Sequence, residues 1–114
     1  MKKLIQLALM VRGKYKIAAC CLDKHGRILS YATNSYTKTH PTQSRCAKAV
    51  GKDAKEFLHA EIAALVRASR CKGSPYKIRV VRVNSQGELR MAKPCLICAE
   101  AIRLAGVKLV EYST

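Results

Sequence analysis

The sequence predicts an α/β fold built on a short mixed sheet of four strands. Its 114 residues suit one domain spanning 1–114, and 49% of them are apolar, which is enough for a core and argues against disorder. Hydrophobic periodicity alternates between helical and strand repeats in the order α–β–β–α–β–α–β. The strand–helix–strand units predict parallel strands with crossover helices, and a hairpin adds an antiparallel pair.

The first half of the chain begins with an amphipathic helix. Its apolar face comprises Leu4, Leu7, Ala8 and Val11. Two β-prone runs, Lys14–Leu22 and Arg27–Thr33, flank a Gly-containing turn and predict a hairpin. Periodicity then disappears from Asn34 to about Asp53, apart from a short helical turn around Ser44–Val50. Loops of this length are often binding loops.

The second half contains the clearest periodic patterns. Phe57–Arg70 predicts a helix, and Tyr76–Val83 alternates as a strand. Pro94 opens another predicted helix over Cys95–Ala105, which a glycine ends. Val107–Tyr112 predicts a final short strand.

The charge balance indicates an anionic partner. The chain carries 22 Lys and Arg against 7 Asp and Glu, a net charge of +15, so nucleic acid, a nucleotide phosphate or an acidic surface is expected. A merely basic, solvated surface is the alternative. No apolar stretch approaches the ~20 residues that span a bilayer. The N-terminal apolar run, broken by Gln6 and stopped by Arg12, lacks a signal-peptide cleavage site. We therefore expect a cytoplasmic protein with no membrane partner.

The six cysteines require an explanation, because an even number is also typical of secreted disulfide scaffolds. In a reducing compartment, pairs of cysteines indicate metal or redox chemistry instead. Cys95 and Cys98 lie three residues apart at a predicted helix N-terminus, where two thiolates on one face can hold zinc. The others have no assigned role, and they are Cys20, Cys21, Cys46 and Cys71.

His59 adds a third candidate ligand, and three protein ligands that leave a fourth position open are typical of catalytic zinc. Glu61 lies two residues further on and can act as a general acid and base. Within a helix this spacing places the two side chains on opposite sides. We therefore expect the helix to begin close to Leu58, although Asp53–Glu56 resembles a capping box that would begin it earlier.

His59-Ala60-Glu61 and Pro94-Cys95-Leu96-Ile97-Cys98 together resemble the zinc signature of the cytidine/deoxycytidylate deaminase superfamily, H-x-E…P-C-x-x-C. The resemblance covers nearly the whole chain and implies a cytidine deaminase-like, three-layer α-β-α sandwich. Many members continue with another strand and helices, whereas this chain stops at Thr114, so a truncated C-terminus is expected. The resemblance also implies Zn²⁺ as cofactor, with Glu61 as catalytic proton shuttle and with the metal ligands His59, Cys95 and Cys98.

The same resemblance implies a zinc-dependent hydrolase that deaminates a cytosine-type base and releases ammonia. Asn34, at the end of the second predicted strand, is similar to the Asn with which many members hold the base or sugar. Tyr36 and His40, in the long loop, are candidates for stacking on a base. Ala60 completes the expected substrate-binding set, and a homo-oligomer is expected.

The sequence is compatible with three classes of function. The first is deamination of a free cytidine or deoxycytidine nucleoside or nucleotide. The second is deamination of cytosine or adenine within single-stranded DNA, RNA or tRNA, which the +15 charge favours and the 5% aromatic content disfavours. The third is a non-catalytic zinc module that binds nucleic acid, with Cys46 or His40 as a fourth ligand.

Overall fold

The computed structural model describes residues 2–36, 38–51, 58–71 and 73–114, and these ranges contain four helices and five strands. The elements are α1 (Lys2–Leu9), β1 (Lys16–Leu22), β2 (Ile28–Thr33), α2 (Pro41–Ala49), α3 (Ala60–Ala68), β3 (Lys77–Val83), β4 (Leu89–Arg90), α4 (Leu96–Leu104) and β5 (Leu109–Tyr112). The predicted α/β class is therefore confirmed. No helix in the described ranges is long and apolar enough to cross a membrane.

The sheet is mixed, as predicted, and β1 lies at its centre. β1 pairs antiparallel with β2 on one side and with β3 on the other. The far edge of β3 is shared by β4, which pairs antiparallel near its end, and by β5, which pairs parallel near its start. The parallel crossover predicted from strand–helix–strand spacing thus occurs between β3 and β5, whereas β1 separates β2 from β3.

The sheet has one strand more than the four that the sequence predicts. The additional strand, β4, has only two residues, both exposed, so it shows no hydrophobic alternation from which it could be recognised. The side chain of Ser113 links β3 to β4. Its hydroxyl accepts a hydrogen bond from the Arg82 amide at 3.0 Å and donates one to the Arg90 carbonyl at 2.6 Å.

Two apolar clusters on opposite faces of the sheet produce the α-β-α layers. On one face, Leu4 and Ala8 of α1 pack over β1 and β3. On the other face, α2, α3 and α4 cover a larger cluster that includes Ile62 and Ile78. The adjacent Cys20 and Cys21 belong to opposite clusters, as strand alternation requires. All six cysteines are free thiols.

The long segment after β2 is more helical than predicted. α2 begins at Pro41, earlier than the turn expected around Ser44–Val50, because His40 caps the helix and proline suits its first position. α3 begins at Ala60, close to the expected start. The capping-box sequence at 53–56, which argued for an earlier start, lies outside the described residues.

Candidate active site

The site forms at one end of the sheet, where the ends of several strands and the N-termini of two helices converge. The antiparallel register places Lys16 at the start of β1 opposite Val83 at the end of β3, and Thr33 at the end of β2 beside Ala18. The N-termini of α3 and α4 lie at the same end. A cavity of about 430 Å³ opens between them. Its wall includes Tyr15, Asn34, Tyr36, His59, Glu61 and Cys95.

Three candidate metal ligands meet beside this cavity. The Nδ1 atom of His59 lies 3.2 Å from the sulfur of Cys98 and 3.5 Å from the sulfur of Cys95. All three donor atoms lie within 4.8 Å of one another. The structure thus brings together the residues that the spacing of the two motifs predicted as zinc ligands.

Helix capping explains how short sequence spacings produce this cluster. His59 is the N-cap residue of α3, with extended backbone angles of φ −80° and ψ 154°. Cys95 is the N-cap residue of α4, with φ −70° and ψ 173°. Cys98 follows in the first turn of α4, and an N-cap side chain meets the third helical residue. Both helices therefore present their partially positive N-termini to the cluster.

The donor set fits zinc. One imidazole nitrogen and two thiol sulfurs are donors that zinc prefers, and three protein ligands are typical of catalytic sites. A hydrogen bond from the Cys98 thiol lowers the pKa of Cys95 to about 3. The same hydrogen bond, together with burial, raises the pKa of Cys98. Of the two thiols, Cys95 therefore loses its proton more easily, and the thiolate is the form that binds a metal.

Glu61 lies in the first turn of α3, with only 6% of its surface exposed, and its carboxyl borders the cavity. Burial raises the pKa of this carboxyl, while its backbone hydrogen bond and the charge of His59 offset part of the rise. The Cys98 thiol also contacts it by a hydrogen bond. A buried carboxyl beside a metal cluster can hold a proton and transfer it.

Asn34 and Tyr36 line the cavity and fasten its rim. The Asn34 side chain accepts a hydrogen bond from the Ile17 amide at 3.1 Å and donates one to the Tyr15 carbonyl at 3.0 Å. The Tyr36 hydroxyl accepts from the Tyr15 amide at 2.6 Å and donates to the Tyr15 carbonyl at 2.9 Å. The Asn34 carboxamide retains one acceptor and one donor position for a ligand.

The structure places His40 and Ala60 differently from the other expected substrate residues. His40 is the N-cap residue of α2, where its Nδ1 accepts a hydrogen bond from the Thr42 amide at 3.0 Å, and it lies outside the 430 Å³ cavity. Ala60 is fully buried. Neither His40 nor Cys46 joins the metal cluster, which in the described ranges consists of three side chains.

Several residues in and around the cavity were not predicted from the sequence. Arg82 lines the cavity, and its guanidinium lies 5.0 Å from the centre of the Tyr15 ring. Strand alternation could have identified Arg82, because it shares a face of β3 with Ile78 and Val80. Lys93 also lines the cavity. Gln43 of α2 is fully buried, and its Oε1 accepts a hydrogen bond from the His59 amide at 3.2 Å.

Comparison with known proteins agrees with this geometry. The family model of the cytidine and deoxycytidylate deaminase zinc-binding region matches residues 1–114, and the chain therefore belongs to this family of deaminases. The family's zinc-binding region and the His–Cys–Cys cluster together identify Zn²⁺ as the cofactor.

The fold is similar to that of a solved relative of the same class. The crystal structure of a mutant cytidine deaminase from Mycobacterium tuberculosis superposes with a TM-score of 0.58 at 18% sequence identity. The match covers 96% of this chain and 80% of that one. At this identity the similarity shows the fold, and it confirms the cytidine deaminase-like sandwich. A search of curated protein sequences finds no match.

Proposed function

We propose that this deaminase converts a cytosine base, carried by a nucleoside or nucleotide, and one water molecule into uracil and ammonia. The main observation behind this proposal is that His59, Cys95 and Cys98 lie together with the buried carboxyl of Glu61 at one cavity. A non-catalytic zinc module would need a fourth protein ligand and no buried carboxyl. The arrangement of the described residues therefore favours catalysis.

The three ligands have one role in this proposal, which is to hold the metal beside the substrate. Zinc bound there would supply Lewis-acid activation of water, lowering its pKa towards about 7. The hydrogen bond from the His59 amide to Gln43 and the extended backbone at both N-caps keep the ligands in place. The two helix N-termini favour the thiolate form of the cysteines.

Glu61 moves the protons. Its carboxylate accepts a proton from the attacking water and delivers it to N3 of the ring as the new C4–O bond forms. It then takes the remaining hydroxyl proton and delivers it to the amino group. The C4–N bond breaks, ammonia leaves, and the ring keeps a C4 carbonyl and an N3–H. Burial supports this role, because a raised carboxyl pKa makes Glu61 a better proton carrier near neutral pH.

The cavity wall supports a phosphorylated substrate over an uncharged nucleoside. Arg82 and Lys93 line the cavity, and Glu61 is the one carboxylate among its described lining residues. A phosphate oxygen accepts charge-assisted hydrogen bonds from both cations. Asn34 offers its remaining donor and acceptor to the base or sugar. We therefore assign the 5′-phosphate to Arg82 and Lys93.

The free thiols and the exposed sheet edge support two further parts of the proposal. All six cysteines are unpaired, which suits a reducing, cytoplasmic compartment. β5 pairs with β3 along one edge and exposes Leu109 and Val110. A second copy of the chain covering such an edge would form the expected homo-oligomer.

A substrate panel tests the proposed function. Zinc-loaded protein is assayed for ammonia release from cytidine, deoxycytidine, CMP and dCMP, and again after zinc is removed by a chelator. We expect release that depends on zinc and is faster with the two nucleotides. Absence of release by fully zinc-loaded protein from all four compounds, and also from DNA and RNA single strands that contain cytosine, would overturn the proposal.

The phosphate assignment has its own control. Arg82→Gln should raise KM for CMP or dCMP about tenfold and leave KM for the nucleoside nearly unchanged, because it removes a charge-assisted hydrogen bond. Arg90 pairs with Arg82 across the sheet but is exposed outside the cavity, so Arg90→Gln removes the same charge as a matched control. Equal effects of the two substitutions would contradict the assignment.

A further inference from the structure

A second concave surface adjoins the catalytic cavity. It is a groove of about 320 Å³ that shares one wall residue, Leu58, with that cavity. We call it the basic groove, and the residues that define it are Lys38, His40, Leu58, Arg67 and Arg70. The other described residues that line it are small or apolar, apart from one threonine.

The basic groove is strongly positive. Lys38, Arg67 and Arg70 line it, and no carboxylate occurs among its described lining residues. None of the ion pairs found between described residues involves these three cations. The Arg67 guanidinium is oriented by a hydrogen bond to the Tyr31 carbonyl at 2.6 Å. Cations that have no acidic partner among the residues the structure describes favour an anionic ligand.

Backbone hydrogen bonds fix the position of the groove relative to the cavity. The Ser35 amide donates to the Leu58 carbonyl at 3.0 Å, and the Leu58 amide donates to the Lys38 carbonyl at 2.9 Å. The segment that carries Tyr36 on the cavity side and Lys38 on the groove side is thus fastened next to the ligand His59. The two surfaces therefore form one continuous path across Leu58.

The length of this path exceeds what one nucleotide in the cavity can fill. Arg67 lies eight residues beyond His59 along α3, which is a rise of about 12 Å at the helical repeat. Arg70 follows in the turn after the end of α3 at Ala68. A cavity of about 430 Å³ already accommodates a small-molecule ligand by itself. The cations of the basic groove therefore suit a substrate that extends beyond the reacting nucleotide.

We propose that the basic groove binds the phosphodiester backbone of a single-stranded nucleic acid whose target cytosine enters the cavity. This inference rests on the proposed function and specifies its substrate class. A single strand is favoured because a base in a duplex would first have to be unpaired and flipped out of the stack to reach the cluster. Lys38, Arg67 and Arg70 neutralise phosphates flanking the target, and the half-exposed rings of Tyr15 and Tyr36 offer stacking surfaces at the cavity.

Binding to defined strands tests this proposal. The probes are fluorescent single strands of about 15 nucleotides with one central cytosine, as DNA and as RNA, and CMP and dCMP serve as mononucleotides. Anisotropy gives Kd across a salt series for zinc-loaded wild-type protein and for a Lys38→Gln/Arg70→Gln variant. Neither side chain makes a hydrogen bond or ion pair to another described residue, so the variant should fold. Ammonia release from strands and mononucleotides is measured alongside.

A matched control removes the same charge elsewhere. The opposite end of the sheet carries another basic cavity of about 430 Å³, to which Lys24 and Lys108 contribute. Lys24→Gln/Lys108→Gln therefore tests whether the total charge alone explains binding. For binding to single strands, each phosphate contact that is removed makes the slope of log K against log salt less steep by about 0.7. The groove variant should lose about 1.4 in slope and bind about tenfold more weakly at about 100 mM salt.

Each outcome bears on the proposal. Binding and deamination of DNA or RNA strands that fall in the groove variant and persist in the control support it, and the better strand identifies the sugar. Equal weakening in both variants, or wild-type affinity in the groove variant, overturns it. Ammonia release from CMP or dCMP without strand binding also overturns it and leaves the proposed function intact. Strand binding that depends on the groove, without ammonia release from any compound, overturns the proposed function alone.

Discussion

His40 and His59 occupy the same position in two helices and use their rings differently. Each is an N-cap residue with an extended backbone. His40 uses Nδ1 to accept the Thr42 amide of its own helix. The His59 side chain makes no such cap hydrogen bond, and its Nδ1 instead faces the sulfurs of Cys95 and Cys98. A neutral imidazole has one acceptor nitrogen, so a ring that caps its helix through that atom cannot bind a metal with it.

The second helical residue differs in the same way between α2 and α3. In α2 it is Thr42, whose hydroxyl accepts a hydrogen bond from Arg45 at the surface. In α3 it is Glu61, whose carboxyl is buried at the cavity and has a raised pKa. A histidine at a helix N-cap, followed two residues later by a polar side chain, thus forms a metal site in α3, where the start of α4 supplies two thiols, and forms none among the described residues at α2.

The largest expected effect is that of Glu61→Gln on turnover. The amide keeps the size of the side chain but cannot shuttle protons, so kcat should fall about 10²–10⁴-fold. Zinc content should remain at one ion per chain, because the three ligands are intact. Ammonia release and metal analysis measure the two quantities.

Thr42→Ala, at the equivalent position of α2, is the matched control for this substitution. It should leave kcat unchanged, since Thr42 lies outside the catalytic cavity. Turnover by Glu61→Gln at nearly the wild-type rate would remove Glu61 from the proposed mechanism.

The next effect concerns the metal. His59→Ala should lose zinc and melt at a lower temperature, because metal binding contributes to folding free energy. His40→Ala should retain zinc at the wild-type ratio. Metal analysis and thermal unfolding with and without a chelator separate the two histidines. Equal zinc loss from both variants would contradict the assignment of metal binding to His59 and of helix capping to His40.

A smaller effect is expected at Gln43, which links the two helices. Gln43→Leu removes the side-chain oxygen that accepts the partly buried His59 amide, which should cost about 1–3 kcal/mol of unfolding free energy. Urea unfolding of the zinc-loaded protein measures this loss. Gln86 is exposed in a turn and bonds through its backbone, so Gln86→Leu should cost nearly nothing. Similar midpoints for the two variants would argue against a positioning role for Gln43.

The smallest effect is the loss of the His40 cap itself. His40→Ala removes the acceptor of the Thr42 amide and should cost about 0.5–2 kcal/mol. His40→Asn should restore most of this stability, since Asn is among the best N-cap residues. Thermal unfolding of the three proteins tests the order, and an Asn variant less stable than the Ala variant would contradict a capping role.

Local sequence patterns were sufficient for most of the fold. Periodicity located α1, α3, α4 and the three longer strands, because apolar residues recur in each at the helical or the strand repeat. The same reasoning missed β4, whose two exposed residues carry no pattern. It also underestimated α2, where Gln43 is buried although its sequence is polar, since burial there depends on contacts with α3 and α4.

The sequence by itself determined the composition of the site, and the tertiary structure decided its use. The spacings His59-x-Glu61 and Cys95-x-x-Cys98 identify the donor atoms, because a helix start brings nearby residues to one point whatever surrounds it. Only the folded chain shows that two such starts meet, that His40 is committed to its own helix, and that Arg82 and the basic groove adjoin the same cavity. These features join residues far apart in the chain, and the position of a residue across such distances depends on packing that no local pattern contains.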